Sequence, residues 1–212
     1  MESNLGGGEI NTYTPYLASY IKFDNSFTDY GYLGLEWIPN NSNYKFTDDG
    51  VTFYAGNNFL TLSNNAKLTF DENEDFTVWF FFTGGASIIN CAPQAYNVGS
   101  YTFGLDCGSV KYNRINHIHF TGILASYYVC LCRKNNIIRY FRDGILTSEY
   151  TDNRSLENIQ WYINNDTWAH NTPVSNYKEL VILKGIGLFE ESYTPKRYIK
   201  MISRYLYETN NS

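Results

Sequence analysis

From Tyr20 onward the chain is cut into short apolar or alternating runs, separated by clusters of Asn, Asp, Gly and Ser. These runs fall at 20–23, 51–54, 59–62, 76–83, 87–91, 101–105, 117–121, 127–133, 137–141, 145–147, 159–163 and 179–184. Each has the length and the β-branched or aromatic content of a strand. About a dozen of them in succession, with so many turn signals between, predict an all-β sandwich rather than an alternating α/β fold.

Two turns carry the most information. Asn135-Asn136 and Asp143-Gly144 tolerate the positive φ angles of tight hairpin turns, so 127–133, 137–141 and 145–147 should form a three-stranded meander. Within the first of these, Tyr128, Cys130 and Cys132 alternate with Tyr127, Val129 and Leu131. Both faces are apolar, which predicts a strand in the middle of a sheet.

Only the C-terminal segment reads as helical. Thr194 supplies a cap and Pro195 a first turn, after which Tyr198, Ile199, Ile202, Tyr205 and Leu206 recur at three- and four-residue spacing, with Lys196, Arg197, Lys200 and Arg204 on the other side. The expected organisation is a flexible, Gly-rich arm over 1–19, one β-domain over 20–195, and an amphipathic helix with its tail over 196–212. At 212 residues one domain suffices, because sandwiches commonly run to roughly 200–250 residues.

Composition narrows the functional classes. Hydrophobic residues make up 43% and aromatics 18%, with 20 Tyr and 14 Phe, enough for a large core. Sixteen Lys and Arg against 21 Asp and Glu leave a net charge of -5, which gives no electrostatic footprint for nucleic acid. No apolar run approaches the ~20 residues of a membrane span. The first residues show neither the basic nor the apolar region of a secretory signal, so assembly in a reducing cytoplasm is expected, with Cys91, Cys107, Cys130 and Cys132 as thiols.

Several stretches resemble the concanavalin A-like lectin/glucanase superfamily, in particular laminin-G-like jelly-roll modules of phage structural proteins and bacterial surface proteins. Tyr20-Ile21-Lys22-Phe23-Asp24-Asn25-Ser26-Phe27-Thr28-Asp29 is similar to that family's opening strand. Gly50-Val51-Thr52-Phe53 through Asn58-Phe59-Leu60-Thr61-Leu62 is similar to its next strand pair, and Asp75-Phe76-Thr77-Val78-Trp79-Phe80 to its "D-F-T-I-E-F-W" strand. The hairpin segment from Cys132-Arg133-Lys134 to Asp143-Gly144-Ile145-Leu146, and Leu180-Val181-Ile182-Leu183-Lys184-Gly185-Ile186 followed by Tyr193-Thr194-Pro195, follow in the family's order. The resemblance implies an all-β, two-sheet antiparallel jelly-roll sandwich over 20–195, to which the pattern of the last residues adds one short C-terminal amphipathic helix.

Catalytic members of that superfamily hold carboxylates on a Glu-x-Asp-x-x-Glu strand, about 5–5.5 Å apart as retaining hydrolysis requires. The acidic run Asp71-Glu72-Asn73-Glu74-Asp75 lacks that alternation and precedes a strand, so no catalytic residue is assigned and the chain is expected not to be an enzyme. His117 and His119 share a strand face without a visible third ligand, and Cys130-x-Cys132 is not a zinc knuckle. No metal site is assigned. Some family members use calcium, for which Asp48-Asp49-Gly50 and Asp71-Glu72 are the candidates, short of the roughly six to eight oxygens a hard cation takes.

A sugar site needs loop aromatics to stack on a pyranose face and amides or carboxylates to bond its hydroxyls. The loop 164–171 supplies both, with Trp168 as the ring and Asp166 and Asn171 as polar partners. Trp37 with Asn40, Asn41 and Asn43 forms a second such group. The resulting expectation is a non-catalytic virion protein of a bacterial virus, a head-fibre, decoration or tail-adhesin component, assembled in the host cytoplasm. It would be oligomeric, joined to other virion proteins through the arm and the helix, and would bind cell-surface or mucus glycan through the jelly roll. The alternatives are a purely architectural virion protein and a jelly-roll glycoside hydrolase.

Overall fold

The computed structural model describes residues 14–84, 87–93, 103–106, 109–112, 115–119, 126–153, 155–156, 159–164 and 174–194. In these residues the chain forms fifteen strands and two single-turn 3-10 segments, Thr14–Tyr16 and Asn65–Lys67. The strands are β1 (Leu17–Ile21), β2 (Trp37–Pro39), β3 (Tyr44–Thr47), β4 (Gly50–Phe53), β5 (Leu60–Leu62), β6 (Phe76–Gly84), β7 (Ser87–Pro93) and β8 (Phe103–Asp106). They continue as β9 (Ser109–Tyr112), β10 (Ile115–His119), β11 (Ser126–Lys134), β12 (Ile137–Arg142), β13 (Ile145–Thr151), β14 (Ile159–Ile163) and β15 (Ser175–Lys184).

Two antiparallel sheets result, as a jelly-roll sandwich requires. The larger, of eight strands, runs β13-β12-β11-β6-β15-β4-β3 with β1 also on β15; the smaller, of seven, runs β10-β9-β8-β7-β14-β5-β2. Alternation along each strand explains the packing between them. Phe76, Val78, Phe80 and Phe82 of β6, Val129 and Leu131 of β11 and Leu180 and Ile182 of β15 face inward, where they meet Leu60, Leu62, Trp161 and Ile163. Trp161 is fully buried and its indole Nε1 donates to the Leu68 carbonyl at 2.8 Å, so this large ring enters the core without an unpaired donor.

The expected meander is present. Asn135 and Asn136 (φ 52° and 63°) link β11 to β12, and Asp143 and Gly144 (φ 51° and 82°) link β12 to β13. As its two apolar faces require, β11 lies inside the sheet, between β12 and β6.

The outer face of the large sheet has its own apolar cluster: Leu17, Tyr20, Trp79, Cys130, Cys132, Phe141, Val181 and Leu183. Residues 185–194 lie across it as a strap. Phe189 and Tyr193 stack at 3.8 Å and both pack edge-on to Phe141. Thr77 Oγ1 donates to the Ile186 carbonyl and accepts from Leu188 N, each at 3.1 Å, and Tyr193 N donates to the Gly144 carbonyl at 2.7 Å. At Gly187 the strap comes so close to β11 that an added Cβ would stand 2.3 Å from the Arg133 carbonyl oxygen. Beneath it Cys130 and Cys132 are free, buried thiols, and burial pushes both above the ordinary thiol range.

Three expectations shift. The first strand is Leu17–Ile21, not 20–23, so the boundary drawn at residue 19 cuts through a strand whose residues are all buried. Phe23 has left the sheet: it is buried with φ 56°, a left-handed conformation rare for a bulky residue. The strand expected over 179–184 begins four residues earlier, at Ser175. The expected helix over 196–212 lies outside the described residues.

Gly187→Ala is expected to lower stability by about 2–3 kcal/mol, because the strap must lift to admit the methyl group. Urea unfolding measures the loss. A thiol reagent under native conditions should then modify Cys130 and Cys132, which stay protected in the parent chain.

Candidate functional site

The sugar-site residues chosen from sequence fall into two groups. Trp168, Asp166 and Asn171 lie outside the described residues; Asn164, just ahead of them in the sequence, is described. Asn164 ends β14 in a left-handed conformation (φ 62°), fully buried, with its Nδ2 donating to the Asn58 carbonyl at 2.7 Å and its Oδ1 accepting from the Tyr177 hydroxyl at 2.9 Å. The loop therefore departs from a fixed point beside the 54–58 turn.

Trp37 is a core residue. It is only 4% exposed, and its Nε1 donates to Asp29 Oδ2 at 3.2 Å, so the ring cannot lie against a sugar. Asn40 and Asn41, its expected polar partners, both donate to the Asn57 carbonyl and tie their turn to the 54–58 turn. Asp29, the last residue of the opening motif, explains the burial. Its carboxylate accepts from Ser19 Oγ, Tyr20 N, Gly31 N and Trp37 Nε1, clamping the 24–34 loop onto β1 and β2. Burial raises this carboxyl above the ordinary range, and the four donors oppose that shift.

The acidic loop considered for calcium is held by cations of the chain itself. Arg133 is fully buried against the Phe76 ring and donates to the carbonyls of Glu74 and Asp71; Lys184 Nζ lies 2.8 Å from Glu74 Oε2 and also bonds the Thr69 carbonyl. Two positive groups thus occupy the oxygens on the inner side of residues 69–74. At the other calcium candidate, Asp49 pairs with Lys178 at 3.0 Å. Among the described residues no cluster of three or more His, Cys, Asp or Glu could hold a metal.

A different group stands out on the outer face of the large sheet, beyond the strap. Its origin is a β-bulge: opposite β6, Tyr177 pairs with Phe82 and Glu179 with Phe81, leaving Lys178 as the extra residue. A bulge re-aims side chains and interrupts pairing. Here it puts Lys178 and Glu179 both on the outer face, at the place where two partner strands part. Strand β4 pairs with Ser175, Asn176 and Tyr177, whereas β1 pairs only from Leu180 onward. The outcome is a notch in the sheet edge.

Across the sheet from Glu179, Phe81 and Tyr128 stand directly opposite one another in neighbouring strands, their rings stacked at 4.2 Å. The Tyr20 hydroxyl donates to Glu179 Oε1 at 3.4 Å, and Tyr30, 42% exposed, leans on the Tyr20 ring. Lys178 turns away, its Nζ over the Phe81 ring and paired to Asp49. Glu179 is left half-buried among aromatic rings with one long hydrogen bond among the described residues. Desolvation raises its carboxyl to about 7, against the Tyr20 bond and the Lys22 charge. A carboxyl so shifted, at a bulge, beside partly exposed aromatic rings, marks a candidate binding site.

Sequence reasoning passes over this group, although one signal is present. Lys178-Glu179 places two adjacent charges directly before the apolar run Leu180–Leu183 of the same strand, which a regular strand with both faces covered would not hold.

No protein-family profile matches the chain, and no curated protein matches it. Among solved structures it is similar to the Trypanosoma rangeli sialidase in complex with 2,3-difluorosialic acid, with TM-score 0.60 and 15% identity, over 82% of this chain and 31% of that one. The binding domain of botulinum neurotoxin serotype D gives 0.58 and 12%, over 84% and 50% of the two chains. The binding domain of Paraclostridial Mosquitocidal Protein 1 gives 0.61 and 12%, over the same 84% and 50%. The chain spans about a third of the sialidase and half of each toxin domain. At these identities the likeness establishes the sandwich fold alone.

Glu179 also makes stability depend on pH. Its folded carboxyl titrates near 7 against an ordinary value of 4.5, so between those limits the folded state binds more protons than the unfolded one, and stability falls as pH rises. The urea midpoint is expected to decline from pH 5 to pH 8 and to level off above. Glu179→Gln should flatten most of that decline.

Proposed function

We propose that this chain is a non-catalytic binding component of a bacterial virus surface, a head-fibre, decoration or tail-adhesin protein whose jelly roll takes up cell-surface or mucus glycan. The observation that carries the glycan part is the pinned root of the 164–171 loop. Asn164 is fixed just ahead, in the sequence, of Asp166, Trp168 and Asn171, the residue types that stacking on a sugar ring and bonding its hydroxyls require. The sandwich is shared with a sialidase solved with a sialic acid derivative and with toxin binding domains, which supports a recognition role by fold analogy. Weak single sites would gain strength from many copies on a particle.

Absence of catalysis is part of the proposal. Hydrolysis by the jelly-roll route needs two cooperating carboxyls. Asp29 is committed to four donors of its own chain, and Glu179 faces Tyr20, Phe81 and Tyr128.

A second reading, an architectural subunit without ligand, is favoured by β13. This seven-residue strand ends the large sheet, and Ile145 at its start is 64% exposed, an edge suited to pairing with another chain.

A glycan-array screen of multimerised protein tests the two readings. Selective binding that disappears in Trp168→Ala, with the fold intact by circular dichroism, is the expected result. No binding at high valency would transfer the assignment to the architectural reading.

A further inference from the structure

The notch at Lys178-Glu179 has a chemistry of its own. Its floor is aromatic, its one acidic group has a single hydrogen bond among the described residues, and the lysine of its own strand, Lys178, is held by Asp49. Glu179 has a single hydrogen bond among the described residues, whereas the carboxylate of Asp29, also withdrawn from solvent, has four. Among the described residues, the strap over the outer face packs on Trp79, Cys130, Cys132 and Phe141, in the rows beyond the carboxyl, which is half-buried. Tyr128 and Phe81, which flank it across the sheet, are only half-buried.

From this geometry we infer that the notch is a receptor for a primary ammonium group carried on a sugar, with Glu179 as its counter-ion and Tyr20, Phe81 and Tyr128 as its walls. An ammonium ion suits both parts of the site at once. Its charge pairs with the carboxylate in a place shielded from water, where such a pair is stronger than at an exposed surface, and its polarised C–H and N–H groups are attracted to aromatic faces. An anion would meet Glu179 and, beyond Tyr128, Asp143, whose Oδ1 accepts from Tyr128 N. A neutral sugar would leave the carboxylate with no charge to offset it beyond that of Lys22. The sugar as carrier rests on the glycan reading above; the ammonium group rests on the notch alone.

Lys178 shows what the site selects. Its ammonium group already lies 5.1 Å from the Phe81 ring centre, yet its partner is Asp49, whose side chain is 82% exposed. Release of that tether would let Lys178 swing onto Glu179 and compete with a ligand. The groups facing Glu179 are Tyr20 and Lys22 from β1 and the residue after it, Lys178 from its own strand, and Tyr128 with Asp143 behind it from β11 and the following hairpin. Burial pushes the Glu179 carboxyl up to about 7, so a permanent cation should bind better as pH rises through that value.

The test uses the full chain and follows binding by NMR titration at pH 7. A glucosamine tetramer is expected to bind at least tenfold more tightly than the N-acetylglucosamine tetramer, and Glu179→Gln should abolish that preference. Asp49→Asn, an exposed change that leaves the core untouched, should weaken binding several-fold through competition by Lys178. Butylammonium should compete with the sugar, with affinity that increases between pH 6 and pH 8. Equal binding of the two tetramers, or an unchanged preference in a folded Glu179→Gln variant, overturns the inference. A trilysine peptide that binds as tightly as the glucosamine tetramer overturns the sugar as carrier. Loss of array binding in Trp168→Ala with no effect of Glu179→Gln would leave the loop reading standing and remove this one; the converse would do the opposite.

Discussion

Strands β6, β11 and β15 are apolar on both faces, and the rest of the structure answers to that constraint. A sheet with one greasy side needs one cover; this one needs two. The inner face is covered by the second sheet, through Trp161, Ile163, Leu60 and Leu62. Over the outer face the strap of residues 185–194 stands in for a third layer, with only four partly or fully buried side chains, Ile186, Leu188, Phe189 and Tyr193. So thin a cover reaches only part of the face. Where it stops, the sheet changes character from Trp79, Val181 and Cys130 to Phe81, Glu179 and Tyr128, and the candidate site lies on that part of the face, beyond the strap.

Charges inside the chain serve the same end of fixing loops against the sandwich. Arg133 and Lys184 gather the carbonyls and carboxylate of residues 69–74, while Asp29 gathers four donors from β1, the loop after it and β2. Buried charges are tolerated where their hydrogen bonds are satisfied, and both clusters meet that condition. Glu179 differs in having few partners to offset the burial that pushes its carboxyl up to about 7.

Much of the fold is legible in the sequence because local rules and packing agree along most strands. The meander can be read from Asn135-Asn136 and Asp143-Gly144, residue types that take up the positive φ angles of a tight turn at little steric cost. Ile159–Ile163 can be read from its apolar run. Three strands, β2, β3 and β9, cannot, for Trp37–Pro39 is short and contains proline, and Tyr44–Thr47 and Ser109–Tyr112 each carry a lysine at an edge or near one. The start of β15 is hidden by its bulge, since Lys178-Glu179 breaks the alternation that marks a strand. Trp37 reads as a loop aromatic because its partner, Asp29, is eight residues away in a segment without periodicity. The site at Glu179 depends on Phe81, Tyr128 and Tyr20 meeting across three other strands, a coincidence of register that no local pattern encodes.

The pairing of β1 with β15 joins Leu17–Ile21 to residues more than a hundred and fifty positions later. The same is true in lesser degree of β6, whose neighbour on one side is β11 and on the other β15. During synthesis, then, the two-faced apolar strand β6 emerges about ninety residues before the strand that completes its sheet. Contacts so distant in sequence make for slow folding, and β1 cannot find its place until β15 has left the ribosome. The nascent protein must spend that interval with its most aggregation-prone segment unpaired along one edge, which makes folding in the cell, more than final stability, the step at which destabilising substitutions in β15 should first tell.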